Sequence, residues 1–240
     1  MMVAAGQDPG EVTAGDPDPT RQDCRTCHEI HTSYTAADWA LETTAAVPVY
    51  AFTGTTYDGG DGNLCATCHQ ARRGFEGYID GDMAEVDSTH WGPHHGPQSA
   101  MLLGIGGAAD AAGALAAAGA PMSHYNLVAN TCVTCHSGST DNHTFEPSED
   151  ACVTCHPDAE DFDIGDTQTE VQAMLDDLEA ALKANALLDA EGEMVVGTYA
   201  VAQAAALWDW IYVAHEDKSL GVHNPAYTKA ILQAGLDAFQ

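Results

Sequence analysis

The distribution of apolar and polar residues divides the chain into three parts. Residues 1–22 are rich in Gly, Asp, Pro and Thr and hold few apolar side chains, which predicts an extended N-terminal arm. Residues 23–163 hold short apolar runs separated by turn-forming residues, which predicts a loop-rich region. In residues 164–240 the apolar positions recur at helical spacing, which predicts a small C-terminal helical section.

The C-terminal section predicts three helices. The first covers 167–190, with Thr167 and Glu170 at capping-box spacing and Gly192 near its end. The second covers 198–214, and the third starts at Asn224, an N-cap residue followed by proline, and runs to the C-terminus. The first helix has one broad apolar face formed by Val171, Met174, Leu175, Leu178, Ala181, Leu182 and Leu188.

The middle of the chain predicts only short elements. Residues 36–43 favour one or two helical turns, and 58–63 favour a turn. Residues 47–57 are of β type but are interrupted by Pro48 and Gly54, which predicts a short hairpin or an extended loop. The Ala/Gly-rich stretch at 104–119 predicts a loose helix or loop, and no apolar run is suited to span a bilayer.

Charge narrows the classes of partner. The net charge is -29, from 36 acidic and 7 basic residues. No basic patch is present to bind nucleic acid or an anionic membrane, so we expect neither partner. The acidity is explained by a solvated surface, by adaptation to high salt, or by steering of a basic redox partner.

The eight cysteines all fall in four C-x-x-C-H motifs, the attachment signature of c-type haem. In that chemistry two thiols add to the porphyrin vinyl groups and the histidine becomes the proximal iron ligand. A zinc site or a disulfide framework would leave the histidine after every cysteine pair unexplained. We therefore predict four covalently bound haem c groups. The attachment cysteines are Cys24, Cys27, Cys65, Cys68, Cys132, Cys135, Cys152 and Cys155, and the proximal ligands are His28, His69, His136 and His156.

Four haems in 240 residues change the expected fold. Each porphyrin is a large apolar plate that the polypeptide must cover, so the groups themselves would form much of the core. The predicted fold class is a mostly irregular, loop-rich chain with some α-helix, packed around a row of haems. Because haem c is attached outside the cytoplasm, we expect an exported protein. The first residues lack a basic region and an apolar region, so we expect a mature form or a reannotated start rather than a signal peptide.

Eight further histidines exceed the four that a second axial ligand on every iron requires. The ranked candidates for these distal ligands are His143, His223, His31, His124, His94 and His95, with His215 and His90 last. Met83, Met101 and Met122 are rival ligands. Arg72 or Arg73 is predicted to pair with haem propionates, with simple compensation of nearby acids as the alternative.

Several stretches resemble multihaem c-type cytochromes of the periplasm and cell surface: CVTCH-x6-HTFEP-x3-ACVTCH, HWGPHHGPQSAMLLG and GVHNPAYTKAIL. Over roughly residues 23–235 the chain is similar to the tetrahaem cytochromes that polymerise into extracellular electron-conducting filaments. The resemblance implies that His143, His223, His31 and His124 are distal ligands and that one subunit supplies a distal histidine to the next. This chain departs from those relatives in its acidity, and it has no histidine before Cys24 to act from the arm.

Three classes of function are open at this stage. The first is electron transfer through closely spaced bis-histidine haems, as a subunit of an extracellular or cell-surface filament or as a discrete periplasmic shuttle; the redox donor and acceptor are unknown. The second is an enzyme with one open haem, for example a nitrite reductase, with Arg72, Arg73 and Tyr78 near the second motif. All four motifs keep their histidine, which argues against it. The third is a haem sensor, for which no output domain is evident.

Overall fold

The computed structural model describes residues 23–108, 124–138 and 143–240. The predicted arm, Met122 and most of the 104–119 stretch lie outside these residues. The α-helices in the described residues are Cys24–Cys27 (α1), Asn63–Ala66 (α2), Gln98–Leu103 (α3), His124–Leu127 (α4), Cys132–His136 (α5), Thr167–Ala184 (α6), Val201–Ile211 (α7) and Pro225–Asp237 (α8). Strands are Val47–Pro48 (β1), Thr56–Tyr57 (β2), Ile79–Asp80 (β3), Met83–Val86 (β4) and Gly197–Ala200 (β5).

Helix α6 differs from its prediction at both ends. Asp166 has a left-handed φ of 56°, so Thr167 is already the first helical residue and its side chain does not cap the helix. Instead the Asp163 carboxylate accepts the backbone N–H groups of Gln168 and Thr169 at 2.6 and 3.2 Å. The capping-box prediction is therefore wrong, because the chain enters the helix through a tight left-handed turn. At the other end the helix stops at Ala184, well before residue 190.

The second predicted helix starts later than expected. Residues 197–200 form β5, which pairs with β4 in the antiparallel sheet β3-β4-β5, with Met83 opposite Ala200 and Val86 opposite Gly197. Helix α7 then covers Val201–Ile211 and continues as a π-helical turn, Tyr212–Asp217. The helical period predicts the helix correctly from Val201 onward. In residues 197–200, pairing with the distant strand β4 overrides this period.

The start of α8 confirms the sequence prediction. Asn224 is the N-cap, its side chain accepts the backbone N–H of Tyr227 at 3.2 Å, and Pro225 occupies the first turn. The Asn224 amide also donates to the carbonyl of Met101 at 3.2 Å. The helix start is thus tied to α3 in the middle of the chain.

The main hydrophobic core joins the C-terminal helices to residues from the middle of the chain. Its centre is aromatic: the rings of Trp91 and Trp208 lie 5.0 Å apart at 83°, and Phe75 and Tyr78 pack against both. The Trp208 indole N–H donates to the carbonyl of Gly106 at 3.0 Å, which satisfies its polar atom inside the core. A smaller core under the β1–β2 hairpin contains Val47, Val49, Tyr57, Ala66 and Leu102.

The motif-bearing segments outside these cores bury little. Asp38 alone is buried among residues 23–46, and Thr131 alone among the described residues of 124–163. The chain there is held by turns and short hydrogen bonds, so the prediction of a loop-rich protein with a helical C-terminal section is confirmed. The predicted β hairpin at 47–57 is confirmed as well, with Val47 opposite Tyr57. Among the described helices, none has the length and apolar character needed to cross a bilayer.

Candidate functional site

Each C-x-x-C-H motif forms one helical turn. In the first, second and fourth motifs the backbone N–H of the histidine donates to the carbonyl of the first cysteine, at 2.9, 2.8 and 2.8 Å. The third motif coincides with helix α5. Residues three and four apart are neighbours on a helical surface, so this turn brings two thiols and one imidazole together. All eight cysteines are free thiols, none being used in a disulfide.

Three of the motif histidines are oriented through their Nδ1 atoms. His28 Nδ1 lies 2.8 Å from the carbonyl oxygen of Trp39, and His136 Nδ1 lies 2.9 Å from that of Phe145. His69 Nδ1 lies 3.1 Å from Oε1 of Gln98. A carbonyl oxygen only accepts, so Nδ1 carries the proton and Nε2 keeps the lone pair that binds a metal.

Three motif histidines also face a second histidine ring. The ring centres of His28 and His143 are 6.0 Å apart, those of His136 and His223 are 6.3 Å apart, and those of His156 and His124 are 6.5 Å apart. Two imidazoles on opposite sides of one metal, each about 2.0 Å from it and about 1.2 Å from nitrogen to ring centre, have ring centres about 6.4 Å apart. The three pairs fit this spacing, so the residues present suit the axial faces of three haem irons.

Two of the second rings are themselves held through Nδ1. His124 Nδ1 lies 2.7 Å from the carbonyl oxygen of Val222, and His223 Nδ1 lies 2.7 Å from Oδ1 of Asp217. Burial lowers the pKa of His223, but attraction and hydrogen bonding to Asp217 outweigh burial and raise it overall. Such outer hydrogen bonds fix the tautomer and the orientation of metal-binding histidines.

The other histidines have no such arrangement in the described part of the chain. His69 lies against no second histidine ring. His31 packs on Tyr34, His94 and His95 stack on each other at 4.5 Å, and His215 packs on Trp210. The exposed His90 ring bonds the hydroxyl of Thr89. His31, His94 and His95 therefore remain candidates without an assigned motif.

The 93–99 loop lies beside the second motif. Ser99 N–H donates to the carbonyl of His69 at 3.1 Å, and Arg72 N–H donates to that of Pro93 at 3.1 Å. His94 and His95 both have left-handed φ values, 62° and 35°. Burial lowers the pKa of His94, and repulsion from His95, Arg72 and Arg73 lowers it further. A neutral imidazole at this position is suited to bind a metal.

Successive motifs adjoin one another through their thiols. Burial raises the pKa of Cys27, and Cys68 of the second motif raises it further by repulsion. Burial likewise raises the pKa of Cys135, with Cys152 of the fourth motif adding to it. The thiols of Cys65 and Cys132, from the second and third motifs, interact with each other. This interaction lowers the pKa of Cys132, against its burial, with further lowering from Tyr57 and Thr131.

The remaining candidate side chains are placed as follows. Met101 is fully buried in the main core, where its sulfur accepts the hydroxyl of Thr228 at 3.4 Å, and Met83 lies exposed on β4. Arg72 and Arg73 are exposed, and Arg73 donates to the Tyr78 hydroxyl at 3.1 Å. The propionate partnership of these arginines stays a prediction.

Sequence reasoning missed the groups that hold the rings, namely Gln98 and Asp217 and the carbonyls of Trp39, Phe145 and Val222. A backbone carbonyl leaves no signal in the sequence. Phe145 and Val222 lie inside the HTF and VHNP stretches, so those stretches hold both a candidate ligand and a hydrogen-bond acceptor for another candidate ligand. Asp217 and Gln98 stand at no sequence spacing from the histidines that would identify them as their hydrogen-bond partners.

Comparison with known proteins found no matching family model, curated protein or solved structure. In the described residues, no group of three or more His, Cys, Asp or Glu side chains is placed to hold a metal ion. Each histidine pair contains two imidazoles, which is fewer side chains than such a group.

Proposed function

We propose that the protein is a tetrahaem c-type cytochrome that transfers electrons. The observation that supports this most directly is the set of three histidine pairs with ring centres 6.0 to 6.5 Å apart, each containing one C-x-x-C-H histidine. When bound, haem c supplies a one-electron carrier. The chain's own residues would attach it through the eight thiols and present a lone pair from each side.

The arrangement of the thiols supports a relay rather than four isolated centres. Motifs one and two, two and three, and three and four adjoin through Cys27 and Cys68, Cys65 and Cys132, and Cys135 and Cys152. At three sites the paired histidines would hold a haem iron from both sides, which would leave no position there for a substrate. This combination suits an electron carrier.

The filament subunit is the finer part of the proposal. His69 has no second histidine ring in the described part of the chain, whereas the exposed His31 and His95 and the half-buried His94 are unassigned. A histidine supplied by a neighbouring identical subunit would complete the second site, in an extracellular or cell-surface assembly. The alternative carrier is a discrete periplasmic shuttle, in which His94 or His95 pairs with His69 of the same chain.

The absence of a second histidine ring at His69 in the described residues also favours one function of another class, a reductase. If His69 keeps an open face, the second site becomes a place where a small ligand binds, with Arg72 and Arg73 nearby. That arrangement would define a multihaem reductase instead of a carrier.

Electron microscopy of the native secreted protein, with a pyridine haemochrome assay on the same sample, tests these proposals. We expect four haems per chain, long uniform filaments, and no CO binding by the reduced filaments. Dispersed particles without CO binding would favour the shuttle, and CO binding to one haem in four would favour the reductase. Fewer than four covalent haems would overturn the tetrahaem assignment itself.

A further inference from the structure

The Asp217 carboxylate is the acceptor that holds the His223 ring. It lies at the end of the π-helical turn Tyr212–Asp217, and its side chain has 0% exposure. Its Oδ1 accepts from His223 Nδ1 at 2.7 Å. Its Oδ2 accepts from the hydroxyl of Ser219 at 2.5 Å and from the Ser219 backbone N–H at 3.2 Å. Both oxygens are therefore fixed, and the carboxylate has one orientation toward the ring.

Among the described Nδ1 contacts of the motif histidines and their paired rings, the anionic acceptor is Asp217, whereas the unassigned His95 lies 3.4 Å from Glu216 through its Nδ1. His28, His136 and His124 donate to backbone carbonyls, and His69 faces a side-chain amide oxygen. Among the described residues, Asp217 forms a salt bridge with His223. None of the salt bridges of these residues joins Asp217 to a lysine or an arginine. The third motif is thus the site with a buried negative charge behind one ring.

Resting on the proposed function, we propose that Asp217 is a positioning residue that lowers the reduction potential of the third site. A hydrogen bond to an anionic acceptor is charge-assisted and draws the Nδ1 proton away, which increases electron donation from Nε2. A buried negative charge also stabilises the oxidised iron, which carries one more positive charge than the reduced iron. Both effects oppose reduction at the third site.

The backbone of the same turn also contacts the second motif through Gln98. The Gln98 amide donates to the carbonyls of Glu216 and Asp217, at 2.9 and 3.4 Å, while its oxygen faces His69. The backbone of residues 216–217 therefore orients a neutral acceptor toward the second motif, and the side chain of Asp217 presents a charged acceptor to the third. A single turn thereby gives two adjoining sites different acceptors.

The test is an optical redox titration of the purified holoprotein and its Asp217→Asn variant. Asparagine keeps the shape but removes the charge. We expect the midpoint potential of one of the four components to rise by about 59 mV. For a one-electron step this corresponds to about a tenfold change in the ratio of reduced to oxidised iron. The other three components should stay in place, and the spectrum should remain low-spin.

Two variants control this measurement. Asp209→Asn removes another buried carboxylate, which accepts the backbone N–H of Ala108 at 2.6 Å in the main core, so it should leave all four components unchanged. Asp217→Glu keeps the charge but displaces it, so the component that Asp217→Asn shifts should move in the same direction by a smaller amount. If the asparagine variant fails to accumulate as holoprotein, the titration of Asp217→Glu tests the inference instead.

Two outcomes would overturn the inference. The first is an unchanged titration in Asp217→Asn, or in Asp217→Glu if only that variant folds. The second is a shift to lower potential. In either case four haems by the haemochrome assay, with a low-spin spectrum of the native protein, would leave the tetrahaem proposal intact. Fewer than four haems in the unaltered protein would instead remove that proposal, and the inference with it, so the two failures are distinguishable.

Discussion

The rings of His28 and His143 lie 6.0 Å apart at 51°, although His28 belongs to the first C-x-x-C-H motif and His143 lies between the third and the fourth. Two residues after His143, the carbonyl of Phe145 accepts from His136 Nδ1 of the third motif. The segment 143–145 therefore contacts the first and third sites together. We expect changes in this segment to affect both sites.

Replacing His143 with alanine should open the first site. Loss of the distal imidazole should leave one haem in four five-coordinate, and that haem should bind CO when reduced. The absorption spectrum of the reduced variant, with and without CO, measures this. His215→Ala is the matched control, because His215 is exposed and packs on Trp210 instead of a motif histidine. An unchanged low-spin spectrum in His143→Ala would remove His143 from the set of ligands.

Replacing Asn224 with alanine should destabilise the fold. The change removes the N-cap of α8 and one of the two donors to the Met101 carbonyl, which keeps the backbone N–H of Gly104 at 3.0 Å. We expect the free energy of unfolding to fall by about 2 kcal/mol, as judged by denaturant unfolding of the holoprotein.

Asn224→Ser separates the two contributions of this residue. Serine keeps an oxygen to cap the helix but has no amide to donate to Met101, so its loss should lie between zero and that of the alanine variant. An alanine variant as stable as the unaltered protein would show that the contacts of Asn224 do not stabilise the fold.

The loop that holds His28 should loosen in acid. Hydrogen bonds from the Ser33 hydroxyl, and then from backbone N–H groups, lower the pKa of Asp38 below its ordinary 3.8, against its burial. A lowered pKa means that this carboxylate contributes stability above the ordinary value, and that the contribution disappears as the pH falls through the folded-state pKa. Hydrogen exchange of peptides covering residues 29–42, corrected for intrinsic rates, should show less protection in strong acid.

Asp38→Asn should remove this pH dependence, with weak protection already near neutral pH. Asp80→Asn, at an exposed strand position, should behave like the unaltered protein. Equal protection of the loop in Asp38→Asn and in the unaltered protein would contradict the role given to Asp38.

The sequence predicted local features well where a single turn decides them. The N-cap at Asn224, the hairpin at 47–57 and the loop-rich middle follow from residue types within a few positions. The start of α7 was wrong because β5 pairs with β4, more than a hundred residues earlier in the chain. The capping of α6 was wrong because the left-handed Asp166 moves the helix start and lets Asp163 accept its first N–H groups.

The candidate site shows the same division. Spacing identified the motif cysteines and histidines, and the resemblance implied His143, His223, His31 and His124, of which His31 packs on Tyr34. Neither could match each of these to a motif histidine, because the pairs join residues distant in sequence, such as His136 and His223. Nor could spacing find Gln98 and Asp217, whose roles depend on how the π-helical turn packs on α3.

The second site gives the prediction that separates an assembly from a lone subunit. His69 has an oriented ring but no second histidine ring in the described residues, and His31, His94 and His95 are the unassigned candidates. If the missing ligand comes from a neighbouring subunit, intact filaments should bind no CO when reduced. Subunits dispersed without denaturation should then bind CO at one haem in four.

Single alanine variants of His31, His94 and His95 identify the ligand. One of them should abolish filaments and gain the CO-binding haem, and the other two should do neither. His90→Ala serves as the control, since His90 is exposed and bonded only to its neighbour Thr89 through the ring. If the active variant gains CO binding while filaments persist, the ligand lies within the same subunit. If intact filaments of the unaltered protein bind CO, the second site is open, and the outcome favours the reductase.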